Sequence, residues 1–142
     1  MNILIKKANV LLGHEVKETD ILIEGDRIKK IGDLPEDTQA QKVIIGKNKL
    51  AMPGLINTHT HMAMSLFRNY ADDLEFWPWL TERIMPKEEQ LKAEDVYWGT
   101  MLSIVELIKG GVTAFNDMYF FMDEVARAAE ETGIRGHLAI GL

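Results

Sequence analysis

The sequence predicts an α/β protein, in which a small all-β unit precedes a parallel sheet with crossover helices. Two observations predict it. Residues 1–52 are short β-prone runs joined by turn residues, and from Pro53 onward strand-like runs alternate with helical patterns in the order β, α, β, α, β. Such alternation implies a parallel sheet, because parallel strands must be joined by a crossover and a helix supplies it. The chain has 142 residues, 46% of them hydrophobic, which suffices for a packed core and argues against disorder.

In the first unit Ile3 and Ile5 alternate with Asn2, Leu4 and Lys6, and Val10-Leu11-Leu12 forms a second apolar patch. Asp20-Ile21-Leu22-Ile23-Glu24 is a strand candidate, Gly25-Asp26 is a hairpin signal, and Arg27 to Ile31 is the return strand. Leu34 to Gln41 is a polar loop. Val43-Ile44-Ile45 and Leu50-Ala51-Met52 are two further short strands around the turn Gly46-Lys47-Asn48. Gly46-Lys47 lacks the upstream glycine of a phosphate-binding loop and receives no role.

The pattern changes at Pro53-Gly54, a sharp entry into the strand that ends in His59-Thr60-His61. A helical turn or two follows near Met64 to Asn69, then a loop with Asp72-Asp73-Leu74 and an aromatic cluster, Phe76-Trp77-Pro78-Trp79-Leu80. Pro86-Lys87-Glu88-Glu89 reads as the start of a long helix, acidic where the dipole favours it. Its apolar face is expected at Tyr97, Met101, Ile104, Val105 and Ile108, and Gly110-Gly111 ends it. Val112 to Phe115 is a buried strand leading into Asn116-Asp117-Met118-Tyr119. The next helix places Met122, Val125, Ala126 and Ala129 on one face and closes at Gly133. Arg135 to Ile140 is the third strand. Stopping just after it leaves a sheet edge unpaired and a surface uncovered, so the chain is expected to be cut from something longer.

Composition narrows the function. Net charge is −6 and the pI about 5.2. Without a Lys/Arg cluster such a chain is a poor nucleic-acid ligand, since phosphate contacts dominate that affinity. There is no cysteine, so disulfides and thiolate metal sites are excluded and any metal relies on His, Asp and Glu. No stretch resembles a signal peptide or approaches a membrane span, and the expected location is the cytoplasm. The eight methionines are read as flexible core filler.

His59 and His61 carry the chemistry. On a strand, residues two apart point to the same face with Cα atoms roughly 6.5–7 Å apart. Two imidazoles at that separation can share one ion at about 2.0–2.1 Å each. A helix would send the pair to nearly opposite sides. β-Branched Thr58 and Thr60 favour the strand. The other reading of the pair is two histidines hydrogen-bonded at a strand end.

Taken in order, Ile23-Glu24-Gly25-Asp26-Arg27-Ile28, Met52-Pro53-Gly54-Leu55-Ile56-Asn57-Thr58-His59-Thr60-His61, Asp72-Asp73-Leu74, Trp79-Leu80, Pro86-Lys87-Glu88 and Asn116-Asp117-Met118-Tyr119 resemble the start of an amidohydrolase-superfamily enzyme. Within it they resemble the S-adenosylhomocysteine/5′-methylthioadenosine deaminase and chlorohydrolase group. The resemblance implies a partial (β/α)8 TIM-type barrel over residues 53–142, truncated after its first third. It also implies that residues 1–52 are the N-terminal part of a small composite β-sandwich domain. It implies one divalent metal, zinc or else iron, with His59 and His61 as the ligands from the first barrel strand. The remaining ligands and the acid/base groups would lie beyond residue 142. Metal-bound hydroxide would attack an amino-bearing ring carbon of a small heterocycle such as an adenosine derivative, and ammonia would leave.

Other roles follow from the same resemblance. Glu88 matches a glutamate that grips ribose hydroxyls, and equally suits a solvated helix-start acid. Trp79 matches a tryptophan lining the substrate pocket; its other reading, and that favoured for Trp98, is anchoring in core or loop. Asp117 either orients a ligand histidine or caps a turn. Asn57 and Thr60 are read as structural, and His14 and His137 as packing or surface residues. Ile140 stands where the adenosine-type deaminases carry an arginine, which leaves room for another amino-substituted heterocycle. Two ligands alone should hold metal weakly, so this chain is expected to be inactive by itself, with self-association through the exposed half-barrel as a further expectation. Two other readings stay open: a non-catalytic binding module with structural histidines, and a short paralogue that completes a barrel with a second chain.

Overall fold

The computed structural model describes residues 1–140. The chain divides into two compact units, Met1–Pro53 and the segment from Gly54 onward. No helix among the described residues is long and apolar enough to cross a membrane.

The first unit is a single five-stranded sheet of β1 (Asn2–Leu12), β2 (Glu15–Glu24), β3 (Arg27–Ile31), β4 (Lys42–Ile45) and β5 (Leu50–Ala51). β1, β2 and β3 form an antiparallel meander, and β4 and β5 run parallel to β1. The two apolar patches of residues 3–12 are one strand with a bulge. Ile5 faces Ile21 but Ala8 faces Thr19, so β1 gains one residue on β2. Lys7 absorbs it with a φ of 54°, and its N–H donates to Asp20 Oδ1 at 2.9 Å. The bulge is why Ile5 and Ala8, three positions apart, share a core with Val10, Ile21 and Ile23. β2 begins at Glu15, before the apolar run, because pairing with Leu12 to Asn9 overrides the polar character of residues 15–18.

The second unit holds a parallel sheet in the order β6 (Leu55–Thr60), β7 (Val112–Tyr119), β8 (Arg135–Ile140). Between β6 and β7 come a 3-10 segment (Met62–Phe67), α1 (Phe76–Pro78), a π-helical segment (Trp79–Ile84), α2 (Met85–Glu88) and α3 (Ala93–Lys109). α4 (Met122–Thr132) joins β7 to β8. Phe115 and Tyr119 of β7 pack with Val96 and Ile104 of α3 and with Val125 and Ala128 of α4. The Arg127 guanidinium lies 3.9 Å from the Tyr97 ring centre, and Tyr97 donates to Glu131 at 2.7 Å, which joins the two helices at their surface.

Several expectations are corrected here. Pro86 does not start the long helix; it lies in the separate α2, and α3 begins at Ala93. The reason is a local cap: the Lys92 N–H donates to Asp95 Oδ2 at 2.9 Å, an acid three residues on reaching back to the cap amide. The buried face of α3 is Val96, Tyr97, Gly99, Thr100 and Ile104, whereas Val105 and Ile108 are exposed. Trp98 is 58% exposed rather than a core anchor, with its edge against the Tyr97 ring. In α4 the buried alanines are Ala129, as expected, and Ala128 in place of Ala126. β7 does not end at Phe115 but continues through Tyr119.

Candidate metal centre

β6 carries His59 and ends at Thr60, one residue short of the expected His61, which follows directly as the cap of the 3-10 segment; the approach to the pair runs through an irregularity in the pairing of β6 with β7. Asn57 faces Phe115 but Thr60 faces Asp117, so β6 advances three residues where β7 advances two. The extra residue re-aims the side chains at the strand's C-terminal end. Asn57 steadies this bulge by accepting the His59 N–H at 3.3 Å.

The result is a pair of imidazoles with ring centres 5.2 Å apart and planes at 77°. An imidazole centre lies roughly 3.2 Å from an ion bound through a ring nitrogen, so two such rings at a tetrahedral angle are roughly 5.2 Å apart. The spacing therefore suits a shared ion. His61 Nδ1 lies 2.7 Å from the Met118 carbonyl oxygen. A carbonyl only accepts, so Nδ1 carries the proton and Nε2 keeps the lone pair a metal needs. Among the described residues no group of three or more His, Asp or Glu could hold an ion, so an ion set between the two imidazoles would find no third such donor there.

Asp117 does not orient either histidine through a hydrogen bond. It is 1% exposed, and its Oδ2 accepts the Met62 N–H at 3.3 Å, capping the 3-10 segment that begins directly after His61. Burial pushes its carboxyl above the usual range, against the opposing pull of the Met62 amide and the nearby histidines. Three further contacts hold that segment to α3. Ser65 Oγ donates to the Gly99 carbonyl at 2.7 Å, Ser103 Oγ donates to the Met62 carbonyl at 2.6 Å, and Arg68 forks onto Glu106 at 2.8 and 2.7 Å.

The histidines open into a cleft of about 660 Å³ that Trp79, Glu88, Tyr119 and Phe120 also line. Thus the four residues singled out from the sequence, His59, His61, Trp79 and Glu88, border one space. Trp79 reaches it from the π-helical segment, half-buried, with its ring 6.0 Å from that of Phe76. Glu88 reaches it from the end of α2 and accepts a hydrogen bond from Tyr119 Oη at 2.7 Å. A second cleft of about 720 Å³ shares Glu88, Tyr119 and Phe120 and extends to Met85, Met122 and Ile140. His137 lies apart from both; its Nδ1 is 2.7 Å from Asn116 Oδ1, and Asn116 donates to the Thr58 carbonyl at 3.1 Å. Trp77 is 68% exposed and lines neither cleft.

Sequence reasoning missed Tyr119 and the Met118 carbonyl. The available signal was the alternation in β7, which buries Phe115, Asp117 and Tyr119 and turns Asn116 and Met118 to the opposite face.

With this geometry in hand, comparison with known proteins is decisive for the family. The amidohydrolase family model matches residues 50–141. The chain belongs to the amidohydrolase family. The 5-methylthioadenosine/S-adenosylhomocysteine deaminase of Caldanaerobacter subterraneus subsp. tengcongensis is 55% identical, over 100% of this amidohydrolase chain and 34% of the relative. The 5′-deoxyadenosine deaminase of Methanocaldococcus jannaschii is 54% identical over 89% of this chain and 30% of its own length. The chain thus spans about a third of the curated relatives it matches. Among solved structures, an adenosine deaminase from Xanthomonas campestris with bound zinc superposes with a TM-score of 0.88 at 31% identity, over 94% of this chain and 32% of that one. Atrazine chlorohydrolase from Arthrobacter aurescens, complexed with zinc, has the same fold over 97% of this amidohydrolase chain and 35% of its own, with a TM-score of 0.85 at 24% identity.

Proposed function

We propose that this chain is the N-terminal part of a metal-dependent deaminase of adenosine-type nucleosides. In this reading residues 53–142 are the first third of a (β/α)8 barrel and residues 1–52 contribute to a composite β-sandwich. The observation that carries it is the imidazole pair, 5.2 Å apart, opening into the cleft that Trp79 and Glu88 border. The family match and the names of the relatives support the chemistry; the length they share with this chain supports the partial barrel.

His59 and His61 would hold one divalent ion, zinc in the first instance and iron in the second. The ion supplies Lewis acidity and brings the pKa of bound water towards 7. The chain's own residues do the rest of what lies within reach. The Met118 carbonyl keeps His61 in the tautomer that presents Nε2. Trp79 offers flat apolar surface to a purine, and Glu88 offers a carboxylate to two hydroxyls of a ribose. Phe76 and Phe120 would add apolar wall beside the base.

The test is ammonia release from 5′-methylthioadenosine, S-adenosylhomocysteine and 5′-deoxyadenosine by the complete polypeptide that carries this segment. Turnover of at least one nucleoside is expected, with metal content and turnover both lost in His59→Ala and His61→Ala. Full metal content and full turnover in both variants would refute the ligand role.

A further inference from the structure

Among the described residues Glu88 has one side-chain partner. Tyr119 Oη donates to Glu88 Oε1 at 2.7 Å. The two residues come from different elements, Glu88 from the short α2 in the β6–β7 crossover and Tyr119 from the last position of β7. They also differ in how firmly they are held. Glu88 is a half-buried, long, flexible side chain on a four-residue helix. Tyr119 is 6% exposed and sits in the main core with Phe115 and Met122.

A carboxylate that receives two neighbouring hydroxyls must present its plane at a fixed angle. Left alone, a glutamate spreads over several rotamers, and ordering it on binding costs affinity. One hydrogen bond from a core-anchored phenol removes that freedom. It engages a single lone pair of Oε1 and leaves Oε2 and the other Oε1 lone pair for the ligand. Burial and the bond to Glu88 both push the Tyr119 phenol up, so it remains a donor at neutral pH. Its ring centre is also 6.0 Å from that of His61, which puts the held carboxylate and the histidine pair on one wall.

We propose that Tyr119 is a positioning residue that presets the Glu88 carboxylate for a vicinal diol, such as the 2′- and 3′-hydroxyls of a ribose, in the cleft that His59 and His61 border. The inference rests on the reading of Glu88 as the diol receptor and goes further by assigning what holds it.

The experiment uses the complete metal-loaded enzyme. In Tyr119→Phe, KM for the ribonucleoside and the dissociation constant of its deaminated product both rise by up to about tenfold, as the cost of ordering one freed glutamate side chain on binding predicts, while kcat and metal content hold. With a 2′,3′-dideoxynucleoside the KM increase disappears. In a Glu88→Ala background the same substitution adds nothing further. Tyr119→Met, which fills the space without a hydroxyl, behaves like Tyr119→Phe. If Glu88→Ala weakens diol binding and neither Tyr119 variant does, the positioning role is overturned and the reading of Glu88 stands. If Glu88→Ala leaves KM unchanged, that reading fails first and the inference falls with it. An equal loss on ribo- and dideoxy-substrates, with reduced thermal stability, assigns Tyr119 to the core alone and overturns the proposal.

Discussion

A Cβ at position 99 would sit 2.7 Å from the Ala63 carbonyl oxygen, 3.0 Å from Leu66 Cγ and 3.1 Å from Ala63 Cα. Two of those three atoms are backbone and cannot swing aside. Gly→Ala in a helix interior normally gains about 1 kcal/mol of propensity. Here overpacking, worth about 1–3 kcal/mol, opposes it and decides the sign. Gly99→Ala is therefore expected to lower the urea midpoint at unchanged slope and, because the displaced segment starts directly after His61, to weaken metal binding. Asp117→Ala orphans the Met62 amide in a dry site and should cost about 1–3 kcal/mol in urea unfolding. Asp117→Asn keeps an acceptor oxygen and should recover most of it. The histidine pair was legible in the sequence because strand periodicity is local, two residues apart. The nitrogen that His61 presents was not legible, since Met118 lies 57 positions away and acts through its carbonyl.

The 3-10 segment and α3 behave as one clamped element. Arg68 and Glu106 carry its exposed end, and the hydrogen bond from the Arg68 guanidinium holds the Glu106 carboxyl below its usual value of 4.5. A carboxyl depressed on folding lends stability that is fully present above pH 4.5 and lost as pH falls through the folded value. Both side chains are about half exposed, so the contribution is small and screened by salt. Melting temperatures from pH 7 to pH 3 should show wild type above Glu106→Gln at neutral pH, the gap closing on the acid side and shrinking at high salt. A gap that widens with acid would contradict the clamp. The sequence placed this element in outline only. The span of α3 was legible from its apolar period and from Gly110-Gly111, but its start was misread because Pro86 is a strong local signal. The Asp95 cap, a weaker local signal, coincides with the close packing of Gly99 on Ala63 and prevails. The same competition explains Val105 and Ile108: helical spacing names a stripe, and only the neighbour chosen in three dimensions decides which edge of it is covered.

Alternation of strands and helices after Pro53 was enough to predict a parallel sheet with crossover helices, while its order β6-β7-β8 comes from the structure. The first unit was less legible. Its strands were readable one by one, yet its observed single sheet is set by pairings across more than thirty positions, such as Ile3 with Lys42, that no local pattern encodes. A catalytic zinc site takes three protein ligands and keeps one position open. The described residues of this chain bring two imidazoles together and no third His, Asp or Glu close enough to share an ion with them. With only these two residues to hold it, an ion would keep water at its other positions. Zinc added to the purified chain should therefore bind weakly and exchange readily with a mild chelator, and no nucleoside should be turned over. His59→Ala and His61→Ala should each abolish even that weak binding, as read by calorimetry or by cobalt absorbance. On the proposed reading of this chain as part of a longer deaminase, the complete polypeptide would add donors and should retain its metal through the same chelator challenge. If the chain alone held zinc as firmly as the complete polypeptide, the two-donor account of this centre would be wrong.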